Sequence, residues 1–370
     1  MPKGRVRNMF PGGNTSKGFF SFYRYIISED DSKRVFIMKG GPGVGKSSFM
    51  KRVSDEMVER GYDVEHMHCS SDNSSLDGVV IPQAGIALID GTAPHVVDPG
   101  SPGVVDEIIN LGDFWDEAAL VKSRQKVISL KNEISVYFTR AYRYLAAAAC
   151  INQDSVAITG AAVDEARVNI LATELKNELL EGIPLSSSKG RERCLFASAI
   201  TPDGLVNYLD DLMIADNIYM LKGFAGAGTE QVLEKLKSEA QDRGLRVEAY
   251  YCAFDPAKLE HLILPGLNTA FTTVNKYHTT DACPLRKIDF AEFINRTPNL
   301  FGRLYSERRS ELEYNQSQFD ILINKAVDLI HSAKALHDEL ETCYIPAMDF
   351  EAVEGKWEIT MKRILDYATQ

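Results

Sequence analysis

The sequence has no long hydrophobic run: no stretch approaches 18 consecutive apolar residues, and the quietest is residues 145–151. A membrane-spanning helix is therefore not expected. The first residues, Met1, Pro2, Lys3, Gly4 and Arg5, lead into no apolar core of secretory-signal type, so the expectation is a cytoplasmic protein. Cysteine is scarce and scattered. Cys69, Cys150, Cys194, Cys252, Cys283 and Cys343 form no C-x-x-C pair and no dense framework, so they read as reduced thiols and not as a disulfide scaffold. Positive charge is not in excess either: 41 Lys and Arg against 52 Asp and Glu give a net charge of −11. That balance argues against a broad nucleic-acid footprint, and neither half carries a recognition helix or an aromatic-basic platform.

What is present is an ordinary globular composition, 45% hydrophobic and 25% charged over 370 residues. This length suits one decorated α/β domain or two smaller ones. An internal duplication favours the second option. Written 183 positions apart, residues 35–106 match residues 218–289 without a gap, with 17 of 72 positions identical. The pairs include Lys39/Lys222, Gly40/Gly223, Gly43/Gly226, Gly45/Gly228, Cys69/Cys252, Asp72/Asp255 and His95/His278. Upstream, Thr15 to Gly18 resembles Thr201 to Gly204 once about three residues are removed from the loop at 29–34. The expected domains are 1–185 and 186–370, and the polar stretch Ser186, Ser187, Ser188, Lys189, Gly190 reads as a hinge between them.

Each half repeats strand, Gly-rich turn, helix and strand. In the first, residues 35–38 form a buried-type strand, residues 46–60 a helix ended by Gly61, and residues 64–68 and 86–89 further strands. This order predicts a parallel sheet with right-handed crossovers. A helical extension follows in each half, over 113–182 and 293–368. Val127, Leu130, Ile134, Phe138, Ala141, Leu145 and Ala148 draw one apolar stripe, and Phe319, Ile323, Ala326, Ile330, Ala333, Leu336 and Leu340 draw its counterpart. Whether each hairpin covers its own sheet, the other half or another chain is open at this stage.

The chemistry concentrates after the first strand. Gly40-Gly41-Pro42-Gly43-Val44-Gly45-Lys46-Ser47 satisfies G-x-x-x-x-G-K-[ST] between a strand and a helix. Glycines let successive amides curl around phosphate, the helix N-terminus adds unpaired N–H groups, Lys46 reaches β- and γ-oxygens, and Ser47 offers a hydroxyl to Mg²⁺. Ser48 extends this turn toward the α-phosphate. Asp90, closing Ile86-Ala87-Leu88-Ile89, is the expected magnesium acid. Gly91 and Thr92 follow it, so the adjacent glutamate that often polarises water is missing. Asp72, just past the second strand, is a candidate to orient water or an acceptor hydroxyl, or else a turn cap. His95 is a candidate proton carrier or a buried hydrogen-bonded histidine. Zinc at His66, His68, Cys69 and His95 is disfavoured, because Cys69 points away from its neighbours on a strand.

The second loop, Gly223 to Glu230, keeps three glycines but has Thr229 for Lys46, Glu230 for Ser47 and Thr273 for Asp90. A carboxylate at the helix start repels phosphate, so this half is expected to be structural or regulatory.

Residues 35–106 resemble the P-loop NTPase superfamily, and the whole chain resembles uncharacterised bacterial ATP-binding proteins with tandem P-loop domains. The stretches that carry the likeness are Phe10-Pro11-Gly12-Gly13-Asn14-Thr15-Ser16-Lys17-Gly18-Phe19, the first phosphate loop, and residues 98–112. The resemblance implies a three-layer P-loop NTPase-like parallel sheet, duplicated in tandem, each copy with a helical-hairpin extension. It also implies ATP or GTP with Mg²⁺ at Lys46, Ser47 and Asp90, and no particular substrate. The leading expectation is nucleotide hydrolysis coupled to movement between halves. A kinase acting on a small molecule or nucleotide, and a nucleotide-dependent interaction module with little turnover, are the alternatives. Arg124, Lys126, Arg191, Arg193, Arg303, Arg308 and Arg309 are candidate cations for transition-state charge. No membrane or nucleic-acid partner is expected; an unnamed protein or small molecule is, and monomer and homodimer both remain open.

Overall fold

A computed structural model describes residues 2–93, 96–295 and 305–369. The first half runs β1 (Val6–Met9), β2 (Gly12–Thr15), β3 (Gly18–Ser21), β4 (Arg34–Lys39), α1 (Lys46–Glu59), β5 (Val64–His68), β6 (Leu76–Ile81), β7 (Ile86–Asp90) and β8 (Asp106–Asn110), then α2 (Glu117–Lys122), α3 (Arg124–Gly160) and α4 (Glu165–Leu180). The second runs β9 (Glu192–Phe196), β10 (Ser198–Thr201), β11 (Gly204–Asn207), α5 (Leu209–Leu212), β12 (Asn217–Lys222), α6 (Thr229–Gln241), β13 (Val247–Tyr251), β14 (Leu259–Leu264), β15 (Thr269–Val274), β16 (Arg286–Asp289), α7 (Arg309–Tyr344) and α8 (Phe350–Ala368).

The two six-stranded sheets have the same order, β1-β5-β6-β7-β4-β8 and β9-β13-β14-β15-β12-β16. They are mixed, which corrects the expected parallel sheet: β6 runs antiparallel to both β5 and β7, and β14 antiparallel to β13 and β15. The cause is a hairpin. Pro82–Ala84 makes a single 3-10 turn, Gly85 takes φ 64°, and the chain returns as β7 with no room for a crossover helix. In the second half Asn268 holds the same left-handed position at φ 47°. Register also corrects the ungapped match at its end. Lys39 pairs with Asn110 and Lys222 with Asp289, so the counterpart of Asn110 lies 179 positions on, and the second half is four residues shorter before its last strand.

Alternation along each strand sends side chains to two different cores. Phe36 and Met38 face α1, whereas Val35 and Ile37 face a core shared with Ile218, Met220, Tyr250 and Ile263 of the other sheet. The longer helices thus cover each sheet on one face only, while the short α5 joins the core between the sheets through Leu209 and Leu212. The stack is helices, sheet, sheet, helices, in place of the expected three layers per half. Between the sheets, Arg7 Nη2 lies 2.8 Å from Glu248 Oε2 and Arg193 Nη2 lies 2.5 Å from Glu65 Oε2. Arg7 also reaches Glu65 at 3.1 Å, and Arg193 reaches Glu248 at 3.7 Å, which closes a ring of four charges related by the duplication. Phe10 and Phe196, also equivalent positions, exchange both backbone hydrogen bonds at 2.9 and 3.0 Å.

The helical extensions are exchanged. Val353, Met361 and Ile364 of α8 pack on the first sheet with Met50, Val53 and Met57 of α1. Val168, Leu171 and Leu175 of α4 pack on the second, with Val232, Leu233 and Leu236 of α6. Isolated β-bridges Trp115–Met348 and Val163–Ile294 clamp the crossing points. Asp164 and Asp349 cap the two docked helices at equivalent positions. Helices α3 and α7 lie antiparallel, joined by Lys126–Glu339 at one end and Asn315–Asp154 at the other. The segment expected as a hinge is hydrogen-bonded at both ends, from Ser186 N to Asp242 O and from Gly190 N to Gln241 O.

Candidate functional site

The loop between β4 and α1 has the backbone that its glycines permit. Gly40, Gly43 and Gly45 take φ of 145°, 70° and 93°, values costly for any side chain. Gly45 caps α1 without a side-chain bond, which leaves the first helical N–H groups directed at the loop. Val44 is buried, and Ser48 is exposed at the outer edge of the turn. Lys46 Nζ donates to the carbonyls of Gly40 and Gly41 at 2.9 and 2.8 Å and stands 3.6 Å from Asp90 Oδ2. Lys46 and Asp90 are therefore neighbours, because β7 lies beside β4 in the sheet. Ser47 Oγ accepts from Leu76 N at 3.0 Å. Thr92, given no role by the sequence, donates from Oγ1 to Gly40 O at 3.1 Å, and its amide donates to Asp90 Oδ1 at 2.9 Å.

Asp72 lies at the rim. Its Oδ1 accepts from Ser74 and its Oδ2 from Ser75 Oγ at 2.9 Å, which makes it a turn cap. Partial burial pushes its pKa up, but these hydrogen bonds and Lys334, at 3.4 Å, outweigh burial and hold it below the usual carboxylate range. Asp255 caps the matching turn through Ala257 N at 3.1 Å. His95 and Arg303 lie outside the described residues. His278, the counterpart of His95, is buried against Ser198 Oγ at 3.1 Å. His66 bonds Ser54 Oγ at 2.7 Å, and burial lowers its pKa to about 4. Among the described residues no group of three or more His, Cys, Asp or Glu side chains could hold a metal.

The expected cations lie elsewhere. Arg193 belongs to the buried ring, Arg191 pairs with Asp30 and Asp31, Lys126 with Glu339, Arg308 with Glu311 and Arg309 with Glu313. Arg124 is exposed. What reaches the loop instead is the exchanged hairpin of the second half. A Cβ added to Gly41 would lie 2.7 Å from Tyr344 Cε1, and one on Gly43 would lie 3.0 Å from Ile345 and 3.2 Å from Glu341 Cβ. These glycines thus permit the close approach of a helix end as well as the curl of the loop. The sequence held a signal for this, since Val156 of the first extension stands where the second has Glu341.

Over the second loop the covering groups are Val156 and Thr159 against Gly226. Thr229 is buried, and its methyl would lie 2.5 Å from a Cβ on Gly223. Gly223 lacks the positive φ of Gly40. Burial raises the pKa of Glu230, at the helix start. The chain matches no family model, no curated protein and no solved structure. Among the described residues no helix is long and apolar enough to cross a membrane.

Proposed function

We propose that the first half binds ATP or GTP with Mg²⁺ at the loop Gly40 to Ser48 and hydrolyses it, and that the second half, whose loop lacks this chemistry, reads the nucleotide state. The observation that carries this reading is the conjunction of three positive-φ glycines, an uncapped helix start, and Lys46 within 3.6 Å of Asp90. Phosphate oxygens need amide donors and a mobile cation at that spacing.

The donor set suits magnesium. Ser47 Oγ and the Asp90 carboxylate are hard oxygen donors, and Mg²⁺ commonly takes only one or two protein ligands beside substrate phosphates. When bound there, Mg²⁺ would neutralise charge on the β- and γ-phosphates. Lys46 would exchange the carbonyls of Gly40 and Gly41 for phosphate oxygens, and the loop amides would bind the β-phosphate. Ser48 would meet the α-phosphate. Asp72 serves as the turn cap that holds Leu76 N on Ser47.

Hydrolysis coupled to movement is favoured over simple storage because Tyr344, Ile345 and Glu341 pack directly on Gly41 and Gly43. A loop that opens to seat phosphate must displace that tip. Phosphate release from Mg-ATP and Mg-GTP, measured for wild type and Lys46→Ala, tests the reading. Release that falls about 100-fold or more in the variant is expected. Release that does not depend on Lys46 contradicts the assignment, and tight binding without release redirects it to transfer onto an acceptor.

A further inference from the structure

We propose that Lys334, on helix α7 of the second half, is the cation that crosses into the first half's phosphate site and offsets charge on the transferring phosphoryl group. This deepens the nucleotide reading and depends on it.

The first ground is position. Glu341 and Tyr344 touch the loop at Gly43 and Gly41. Lys334 precedes Glu341 by two helical turns on the same face, about 10.5 Å back along the axis. Its Nζ sits 3.4 Å from Asp72 Oδ2. The turn that Asp72 caps delivers Leu76 N to Ser47 Oγ at 3.0 Å, so Lys334 stands at the Ser47 side of the crevice. With its side chain about a quarter exposed, its other partner is Asp338, on its own helix. A lysine held at a rim by two partly exposed carboxylates, on a flexible stem, can exchange them for a phosphate.

The second ground is internal to the chain. Ala141, Leu145 and Ala148 of α3 are buried at the positions of Ala326, Ile330 and Ala333 of α7, which aligns the two helices 185 positions apart. The same offset brings Val156 over the second loop where Glu341 lies over the first. It also puts Ala149 opposite Lys334 and Asn152 opposite His337. The second site, built from the second half's loop and α3 of the first half, therefore lacks counterparts of Lys46, Ser47, Asp90 and this helix lysine together, yet it keeps the turn cap as Asp255. Asp255 is paired only weakly, with Lys17 at 3.8 Å. A lysine that merely tied a helix to the cap would have no reason to vanish with the phosphate chemistry.

In the step it serves, the water oxygen bonds to the γ-phosphorus while the bond from that phosphorus to the β–γ bridging oxygen breaks. The electron pair of the broken bond stays on the nucleoside diphosphate, and the water's protons leave with inorganic phosphate and to solvent. Lys334 transfers no proton. Its charge counters the negative charge that gathers on the bridging and γ-oxygens.

Calorimetric titration of the full chain with Mg-ADP, with and without aluminium fluoride, separates the two claims. Wild type should bind Mg-ADP and gain about 100-fold or more in affinity with aluminium fluoride. Lys334→Ala should bind Mg-ADP within about 2-fold of wild type but lose most of that gain, and Lys334→Arg should recover part of it. Asp338→Asn, which removes the carboxylate partner on the lysine's own helix and leaves the lysine, should keep the gain. If Lys334→Ala gains as much as wild type, or if wild type gains nothing, the inference is overturned while nucleotide binding stands. If wild type binds no Mg-ADP and no Mg-ATP, the nucleotide reading fails and the inference falls with it.

Discussion

Replacing Ile364 by alanine tests the exchanged architecture through a residue of the last helix. Ile364 is fully buried on α8, among Phe36, Met38, Met50, Val53 and Leu88 of the first half. Truncating a fully buried isoleucine costs about 2–5 kcal/mol, and the middle of that range is apt where strands and helix α1 hold the walls apart. About 3 kcal/mol corresponds to roughly 100-fold faster exchange for amides that open with the packed unit. Amide hydrogen exchange should therefore rise in β4, β7 and α1, which lie some 300 residues earlier in the chain, and not in β12 or α6. Leu175→Ala, at the matching surface of α4, should do the reverse and loosen β12, β15 and α6. If Ile364→Ala instead loosened the second sheet, the exchange of extensions would be refuted.

Two further outcomes concern charge. Arg363 forms a bidentate pair with Glu107 of β8 at 2.6 and 2.5 Å, and Arg34 joins at 2.5 Å. Hydrogen bonds from Arg363, then from Arg34, outweigh partial burial and hold the Glu107 pKa at about 2. Because this folded-state pKa lies below the usual glutamate value of 4.5, the pair's contribution is complete above pH 4.5 and is lost as pH falls toward 2. Acid titration followed by Trp357 fluorescence should show α8 loosening in that window, and Glu107→Gln should remove this component. In the buried ring, Arg193→Ala leaves Glu65 and Glu248 short of a partner. Burial alone would raise Glu248, and the charges of Arg7 and Arg193 hold it low. Urea unfolding should report a loss of about 3–5 kcal/mol; a loss below about 1 kcal/mol would show that the ring contributes little.

Much of the fold was legible because duplication gives two readings of one plan. The helix of residues 46–60, its Gly61 stop and both long apolar stripes lie close to where their spacing put them. The antiparallel β6 was missed although its signal is there: Leu76 to Ile81 and Ile86 to Asp90 are apolar runs separated by Pro82, Gln83, Ala84 and Gly85, a hairpin connection. Asp77 and Gly78 broke the run and hid the strand. The exchange of extensions was not legible, because an amphipathic stripe states that a face is buried and not against which sheet. At the loop, local spacing carried the glycines, Lys46 and Ser47, and strand adjacency carried Asp90. Tyr344, against Gly41, and Lys334, against Asp72 at the rim, arrive from the far end of the chain, and only the fold brings them to these positions.

The central claim is that one loop of the pair is chemically competent. Calorimetric stoichiometry with Mg-ATP and Mg-GTP tests it most directly, using wild type and Lys46→Ala. The account predicts one site per chain, abolished or weakened about 100-fold or more in the variant. Two sites per chain, or binding indifferent to Lys46, would contradict it.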